Sequence, residues 1–471
     1  MQVFHLSVEC FPVAKVGGLA DVVGALPKYQ RKLGIDARVV MPWYNKPYMQ
    51  HHAFEEIAQG SFYQGSQLLH YTVHKQVVDS LGFPLYVIHI ADLLDRPEVY
   101  CYDDEAEQWL AFQHAFLDWL VKSNLRPDLI NCHDHHVGLI PFLIKNSQEF
   151  QELSNVKTLA TVHNGHYQGW MHWNKGILLP SFDTWKWGLL DWSGLINPLA
   201  AAIKSADAYS TVSEGYLNEL TFDSNGLEDL FKSESAKGYG IVNGIDLDIW
   251  DPEQDSLLAE KYAPADVLIG KRKNKEAFCE KYNLSPSRLL LTYIGRFAQE
   301  KGADYLAKVI QDLSAKKDIE LSVFILGSGD AEIQKDIEAA SQNNPNVAVY
   351  FGYNESLAHE VYAAADMILM PSRVEPCGLN QLYALKYGTI PIVRGIGGLK
   401  DTVLDISDSE GYGFVFDKLE VPVIVETICR AVAYLSQPNK KEEIVKRAMS
   451  LDYSWTKSAQ KYIELYNQLL K

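Results

Sequence analysis

Two segments of this 471-residue chain combine charged residues with glycines where a strand-like run gives way to a helix-like one. The first is Lys15-Val16-Gly17-Gly18-Leu19, and the second is Pro-Ser-Arg-Val-Glu-Pro-Cys-Gly-Leu-Asn-Gln at 371–381. The first N–H groups of a helix lack partners within the helix and carry a partial positive charge, so each segment is a natural anion site. Because the segments lie near opposite ends of the chain, they predict two domains that face each other across a cleft.

Two cationic residues follow a strand-like run in the second half of the chain. Arg296 and Lys301 come directly after the apolar run 288–295. The planar donor fork of arginine and the mobile charge of lysine both suit phosphate oxygens, and ligands of open α/β sheets bind at the carboxyl ends of strands. Taken alone, the two residues are also compatible with surface ion pairs to Glu300 or Asp304.

Three further side chains are suited to binding a sugar, acting as a nucleophile or stacking on a base. Glu375 lies just past the strand-like run 367–371, where a carboxylate can accept hydrogen bonds from sugar hydroxyls. Cys377 is compatible with a thiolate nucleophile, but no His–Asp companion is apparent, so packing or substrate contact is the favoured interpretation. Tyr353 suits stacking on a nucleotide base and packing in a loop equally well.

Two clusters are similar to metal-binding patterns. Asp246-Leu247-Asp248 matches D-x-D, but no other candidate ligand lies near it in the sequence. His133-Asp134-His135-His136 consists of adjacent residues, whose side chains do not converge easily on one ion from either a strand or a helix. We therefore predict no metal ion and no cofactor.

The composition argues against several classes of protein. A formal net charge of −17 disfavours a nucleic-acid-binding protein, and no apolar run reaches the roughly 18 residues of a membrane span. The six cysteines are scattered without a C-x-x-C pair, which indicates neither a disulfide framework nor a structural zinc site. Because the chain starts directly in a strand pattern, without a basic head or cleavage site, we expect a cytoplasmic protein.

The elements that must position these residues alternate between strands and helices, which predicts an α/β fold with parallel sheets covered on both faces. Predicted strands of the first half span 2–8, 37–42, 84–90, 128–132, 157–162 and 207–212, and predicted helices span 19–33, 106–122 and 136–146. The charged, proline-containing stretch 244–286 predicts a domain boundary after Asn243. Predicted strands of the second half span 288–295, 321–327, 347–350, 367–371 and 390–394, and an amphipathic helix spans 454–471.

The order and spacing of several motifs resemble those of the bacterial glycogen synthases and plant starch synthases. The matching segments are Lys15-to-Pro27, H-D-x-H-x-G-L at 133–139, H-N-x-x-Y-Q-G at 163–169, G-R-(x)4-K-G at 295–302, Gly352-to-Glu355 and Glu375-to-Gln381. The resemblance implies the GT-B fold, with two Rossmann-like domains facing across a deep cleft. It places an acceptor-side domain at 1–243, a donor-side domain at 244–453, and a last helix at 454–471 that packs back on the first domain.

The resemblance also implies roles for individual residues, in which the cations hold the diphosphate while His163 and Glu375 contact the sugar. The implied catalytic residues are Lys15, His163, Arg296, Lys301 and Glu375. The implied donor-binding residues are Gly17, Gly18, Asp21, Asn243, Tyr353, Cys377, Gly378, Leu379 and Asn380, and the implied acceptor or sugar contacts are Asp134, Asn164 and Gln168. The chain departs from the family at His135, where tryptophan is usual, which puts an aromatic platform for the acceptor in question.

The reaction implied by the resemblance is metal-independent transfer of glucose from a nucleotide sugar to the non-reducing end of an α-1,4-glucan, with retention of configuration. ADP-glucose is favoured as the donor, with UDP-glucose as the alternative. A retaining GT-B transferase that makes a sucrose-like disaccharide and a non-catalytic glucan or nucleotide-sugar sensor stay open. A periplasmic sugar-binding protein is disfavoured because the sequence shows no signal peptide.

Overall fold

The computed structural model describes residues 1–316, 318–342 and 344–471, and these residues form two compact units. The N-terminal unit contains Met1–Asn243 together with Trp455–Lys471, and the C-terminal unit contains Gly244–Ser454. Within the described ranges, no helix has both the length and the apolar character needed to cross a bilayer.

The N-terminal unit is built on a nine-stranded sheet with the order β11-β10-β7-β6-β1-β2-β5-β4-β3. The strands of this sheet are β1 Gln2–Leu6, β2 Asp36–Pro42, β3 Phe54–Gln64, β4 Gln67–Gln76, β5 Leu85–His89, β6 Leu129–His133, β7 Lys157–Val162, β10 Ala208–Thr211 and β11 Gly238–Gly240. A separate hairpin consists of β8 Asp191–Trp192 and β9 Leu195–Ile196. The seven strands from β11 to β5 pair in parallel; six of them were predicted, and β11 was not. The antiparallel strands β4 and β3 extend one edge and were not predicted.

Helices cover this sheet. They are α1 Gly18–Lys32, α2 Pro47–His51, α3 Glu105–Lys122, α4 Ile140–Asn146, α5 Pro198–Ser205, α6 Glu214–Glu219 and α7 Glu228–Ser233. The prediction of one helix over 136–146 is wrong, because a short 3-10 turn at 135–137 precedes α4. A Cβ at Gly138 would lie 2.5 Å from the carbonyl oxygen of Pro198, so the chain approaches its neighbour closely there, and Pro141 in the first turn favours a new helix start.

The C-terminal unit is built on a six-stranded parallel sheet with the order β14-β13-β12-β15-β16-β17. Its strands are β12 Leu289–Phe297, β13 Leu321–Gly329, β14 Val347–Phe351, β15 Met367–Met370, β16 Ile390–Arg394 and β17 Phe414–Phe416. Its helices are α8 Val267–Tyr282, α9 Leu306–Ser314, α10 Ala331–Ser341, α11 Glu355–Ala364, α12 Asn380–Lys386, α13 Gly397–Thr402, α14 Val421–Leu435 and α15 Pro438–Met449. The chain order reverses beside β12, so β12 and β15 form a topological switch point, where open α/β sheets bind ligands.

The last helix, α16 Trp455–Leu469, belongs to the N-terminal unit. It buries an apolar stripe that includes Trp455, Ala459 and Tyr462 in the same cluster as Leu26 of α1. The predicted return of the last helix to the first domain is therefore confirmed.

Candidate active site

The loop that carries Lys15 is held by a buried carboxylate. Glu9 is 3 % exposed, and its Oε2 accepts the backbone N–H groups of Val16 at 2.6 Å and Gly17 at 2.9 Å. Its Oε1 accepts the Tyr100 hydroxyl at 2.6 Å. Sequence reasoning missed Glu9, although an acidic residue between a strand and a Gly-Gly helix start is a usable signal. Its carboxylate fixes the path of the backbone immediately before α1.

Lys15 is directed by two contacts within this loop and helix. Its Nζ donates to Asp21 Oδ1 at 2.7 Å and lies 5.2 Å from the ring centroid of Phe11. The lysine side chain is 34 % exposed, so the ammonium group is accessible to a ligand. Asp21, which was predicted to contact the nucleotide-sugar donor, holds Lys15 at the first turn of α1.

Gly17 and Gly18 leave the start of α1 open. A Cβ at either position would meet nothing within 4 Å among the described atoms, and Gly17 has an ordinary negative φ. The packing of the chain therefore does not require glycine here, in contrast to Gly24, where a Cβ would lie 2.5 Å from the Phe11 carbonyl oxygen. The space is suited to close approach by a ligand to the first N–H groups of the helix.

His163 follows β7 and is joined to two other imidazoles across the sheet. Its Nε2 lies 3.0 Å from His133 Nδ1, and His133 Nε2 lies 3.0 Å from His5 Nδ1. Burial lowers the pKa of His163 to about 3 and of His5 to about 4, and it holds the pKa of His133 well below the ordinary value. All three rings are therefore neutral at physiological pH, and each nitrogen in the chain is either a donor or an acceptor.

Asp134 links the end of β6 to the end of β7. Its Oδ1 accepts the His163 backbone N–H at 2.7 Å, and the carboxylate also accepts the Asn164 N–H. Asp134 has φ 62° and ψ −177°, a backbone conformation that non-glycine residues rarely adopt and that is frequent at functional sites. Burial raises the pKa of Asp134 to about 7, so its carboxyl group exchanges a proton near neutrality.

Asn164 and Gln168, the other two residues predicted to contact the acceptor sugar, form hydrogen bonds with nearby loop residues. Asn164 Oδ1 accepts the His166 N–H at 3.0 Å. Gln168 is buried, and its amide nitrogen donates to the carbonyl oxygens of Gly165, Ser224 and Asn225, while its Oε1 accepts from Asn197. The Gln168 side chain therefore ties together the loops around 165 and 225.

His135 packs inside the same loop region. Its ring lies 3.7 Å from that of His136, and a Cβ at Gly169 would lie 2.4 Å from its Nδ1. Because Gly169 has φ +67°, the loop needs glycine for both conformation and space. The imidazole thus occupies the space between His136 and the 163–169 segment.

In the C-terminal unit, both predicted diphosphate cations are paired with carboxylates. Lys301 Nζ donates to Glu375 Oε1 at 2.7 Å, and Ser372 Oγ donates to Glu375 Oε2 at 2.8 Å. Arg296 forms an ion pair with Glu300, and its side chain is 69 % exposed. The ion-pair interpretation thus describes Arg296, whereas Lys301 pairs with Glu375, the candidate sugar carboxylate, rather than with Glu300 or Asp304.

The segment after β15 is fixed by close backbone contacts. A Cβ at Gly398 would lie 2.2 Å from the Cys377 carbonyl oxygen, and the Gly398 N–H donates to the Glu375 carbonyl. Gly378 has φ +75°, and Leu379 stands at the N-cap of α12. Asn380 Nδ2 donates to the Ile294 carbonyl at 2.7 Å, which ties this segment to β12. Sequence reasoning missed Ser372 and Gly398, whose contacts depend on the folded chain.

Three further residues that the sequence singled out lie in loops. Tyr353 lies between β14 and α11, is 75 % exposed, and donates its hydroxyl to Glu355 Oε2. Asn243 is buried, and its Oδ1 accepts no hydrogen bond from the described residues. Asp246 Oδ1 accepts the backbone N–H of Asp248 in a local turn. Among the residues described, no three His, Cys, Asp or Glu side chains are grouped so as to hold a metal ion.

The sequence is similar to known proteins along the whole chain. Residues 2–233 match the starch synthase catalytic domain, and residues 274–450 match the glycosyl transferases group 1 family. The chain is 47 % identical to the glycogen synthase of Flavobacterium johnsoniae over the full length of both proteins. It is 36 % identical to that of Anoxybacillus flavithermus, covering 100 % of this chain and 98 % of the relative.

Two solved structures share the architecture. The catalytic domain of starch synthase IV from Arabidopsis thaliana, bound to ADP and acarbose, matches with a TM-score of 0.89 and 29 % identity, covering 100 % of this chain and 99 % of that one. Sucrose-phosphate synthase from Thermosynechococcus elongatus matches with a TM-score of 0.63 and 18 % identity, with 100 % and 99 % coverage, which shows a shared fold alone.

Proposed function

The chain belongs to the glycogen and starch synthase family of GT-B glucosyltransferases, and we propose that it transfers glucose from ADP-glucose to the non-reducing end of an α-1,4-glucan with retention of configuration. The observation that carries the proposal is the Lys301–Glu375 contact of 2.7 Å beside β12 and β15. It places a cation suited to phosphate next to a carboxylate suited to sugar hydroxyls, at the edge of the sheet where ligands bind.

In this proposal Arg296 and Lys301 bind the diphosphate of the donor. Both side chains are now paired with carboxylates and are 69 % and 27 % exposed, so a diphosphate can reach them without unfolding the surrounding segments. As the glycosidic phosphate leaves, negative charge grows on its oxygens, and fixed cations stabilise that charge more than they stabilise the ground state. In the N-terminal unit, Lys15 and the first N–H groups of α1, which begins at Gly18, are proposed to supply further positive potential.

The sugar is proposed to be oriented by Glu375 and His163. Glu375 is anchored through both oxygens, by Lys301 and Ser372, and each oxygen keeps a further acceptor position for a glucose hydroxyl. Asp134 fixes the backbone of His163 and Asn164, so that the imidazole and the backbone carbonyl of His163 are held in one position. The hydrogen bonds that now use Asn164 and Gln168 make these residues supports of that loop.

Retention requires the acceptor to attack the face from which the diphosphate leaves. We propose departure through an oxocarbenium-like state, with the acceptor O4 attacking on the same face while the leaving phosphate takes its proton. Cys377 is buried at 6 % exposure and packed by its backbone against Gly398, so the proposal gives it a supporting role rather than that of a nucleophile.

The choice of ADP-glucose is supported by the starch synthase IV structure, which is bound to ADP and acarbose. Tyr353 is exposed, and we propose that its ring stacks on the base of the nucleotide. The Oδ1 atom of Asn243 is a buried hydrogen-bond acceptor. Because stacking tolerates any base, UDP-glucose is the alternative donor. Six cysteines without a disulfide among them support the proposed cytoplasmic location.

The test is incorporation of radiolabelled glucose into glycogen from ADP-glucose or UDP-glucose, with EDTA present in parallel reactions. We expect incorporation from ADP-glucose that EDTA does not abolish, and products that elute with glycogen on gel filtration. Label found in a small saccharide would favour the disaccharide synthase. Binding of ADP-glucose without turnover on any acceptor would favour the sensor and contradict the proposal.

A further inference from the structure

A continuous chain of buried polar side chains runs from the candidate sugar site to the last helix. It begins at His163, passes through His133 and His5 with two contacts of 3.0 Å, and reaches Gln30, whose Oε1 lies 2.7 Å from His5 Nε2. Gln30 Nε2 then donates to the hydroxyl of Tyr466 at 3.1 Å. His5, Gln30, His133 and Tyr466 are all fully buried. We refer to these five residues as the polar relay.

In the structure the Gln30 amide presents its oxygen to His5, and the direction of each hydrogen bond in the relay follows from that orientation. Its amide oxygen is an acceptor, so His5 Nε2 carries the hydrogen and His5 Nδ1 is an acceptor, since the ring is neutral. His133 Nε2 must then donate to His5 Nδ1, which leaves His133 Nδ1 as an acceptor for His163 Nε2–H. The relay therefore leaves His163 with a lone pair on Nδ1.

Tyr466 is the hydrogen-bond partner of Gln30 at the far end of the relay. Its hydroxyl oxygen accepts from Gln30 Nε2 and from Asn131 Nδ2 at 3.2 Å. Asn131 Oδ1 in turn accepts the Thr161 hydroxyl at 2.7 Å. An amide that turned over would place a donor against His5 and reverse every hydrogen bond up to His163.

We propose that Gln30 and Tyr466 are positioning residues that hold His163 in the tautomer whose Nδ1 accepts a hydrogen bond from a sugar hydroxyl. The inference rests on the proposed function, in which His163 contacts the sugar. It gives α16, at the end of the chain, a role in the site in addition to packing. A site that only filled space would not need five polar groups aligned in one direction, because apolar side chains fill a buried volume without unmet hydrogen bonds.

The first test determines the tautomer of His163 by NMR, without any substrate. Protein labelled with ¹⁵N-histidine is compared with Tyr466→Phe and with Tyr462→Phe, and the His163 signals are assigned by their loss in His163→Gln. Tyr462 is a matched control, because it is buried in the same helix but outside the relay. We expect Nδ1 of His163 to be unprotonated and Nε2 protonated in the wild type and in Tyr462→Phe, and a mixture of tautomers in Tyr466→Phe.

The second test uses turnover. Loss of one oriented hydrogen bond should reduce kcat/KM for the donor about three- to tenfold in Tyr466→Phe, with little change in Tyr462→Phe at equal thermal stability. A series of ADP-glucose analogues replaces one sugar hydroxyl at a time by fluorine, which cannot donate a hydrogen bond. For one of these analogues, kcat/KM should fall strongly in the wild type and only slightly in Tyr466→Phe.

The outcomes separate the two proposals. Absence of glucan synthesis by the wild type would contradict the proposed function, while the NMR comparison would still report on the relay. Normal synthesis with His163 protonated on Nδ1, or with identical His163 signals in Tyr466→Phe and Tyr462→Phe, would overturn the relay and leave the function intact.

Discussion

The imidazoles of the N-terminal candidate site are mostly buried and neutral, whereas the two cations of the C-terminal site, Arg296 and Lys301, are closer to solvent. His5 and His133 are fully buried and joined by hydrogen bonds of fixed direction. Arg296 is 69 % exposed, and Lys301 forms an ion pair with Glu375. Lys15 and Asp21 differ from the imidazoles of the N-terminal unit, since they form an ion pair and their side chains are 34 % and 28 % exposed.

This difference separates two kinds of preorganisation. Neutral buried groups recognise a ligand by the direction of donors and acceptors, and their geometry depends on supports such as Glu9, Asp134 and Tyr466. Exposed ion pairs contribute little to stability, but their partners can be exchanged for a charged ligand. Removing charge should therefore affect the C-terminal cluster most, and removing hydrogen-bond acceptors should affect the N-terminal cluster most.

The largest effect is expected for Glu375→Gln, which keeps size and polarity but removes the charge. Lys301 loses its ionic partner, and the sugar hydroxyls lose a charged acceptor, so kcat should fall by about two powers of ten or more. Initial rates of glucan synthesis at saturating donor measure this change. Glu360→Gln is the matched control, because Glu360 is also paired with a lysine, Lys281. Equal rates in the two variants would show that charge at position 375 is dispensable.

A smaller effect, mainly on stability, is expected at Asp134. Asp134→Ala removes the acceptor of the His163 and Asn164 N–H groups, and each buried unpaired donor costs about 1–3 kcal/mol in the free energy of unfolding. Asp134→Asn keeps an amide oxygen and tolerates positive φ, so its loss should be much smaller. Urea unfolding measures both free energies. Equal losses in the two variants would mean that charge, not acceptor geometry, is what Asp134 supplies.

The effect that is smallest near neutral pH is a change in the pH dependence of stability. Burial lowers the folded-state pKa of His5 to about 4 from 6.5, so the unfolded chain binds more protons between these values and stability falls as the pH decreases. Relative to His5→Gln, the wild type should lose about 1.4 kcal/mol of unfolding free energy per pH unit from about pH 6.5 down to about pH 4. Urea titrations across this range measure the slope, and parallel curves for the two proteins would contradict it.

The sequence allowed most of the parallel strands to be predicted within two residues, because buried strands read as short apolar runs between helix signals. The antiparallel strands β3 and β4 were missed, since their half-exposed residues lack such runs. The helix predicted over 136–146 was wrong because Gly138 approaches Pro198, a contact between residues far apart in the chain.

The candidate site shows the same limit. Motifs identified Lys15, His163, Lys301 and Glu375, but their partners were not visible in the sequence. Contacts such as Glu9 to Tyr100, or Gln30 to Tyr466, join residues separated by 91 and 436 positions. Only the fold brings such pairs together, so supports of a site are harder to predict than its motifs.

The central claim is that fixed cations, rather than a metal ion, stabilise the departing diphosphate. Its most direct test is kcat for glucan synthesis from ADP-glucose in EDTA, compared between Lys301→Ala and Lys386→Ala. Lys386 has a similar exposure, 20 % against 27 %, and also forms an ion pair, with Asp251. We predict that kcat falls by about two powers of ten or more in Lys301→Ala alone, with similar thermal stability of both variants. Equal kcat values, or activity that appears only when a divalent metal ion is added, would contradict the account.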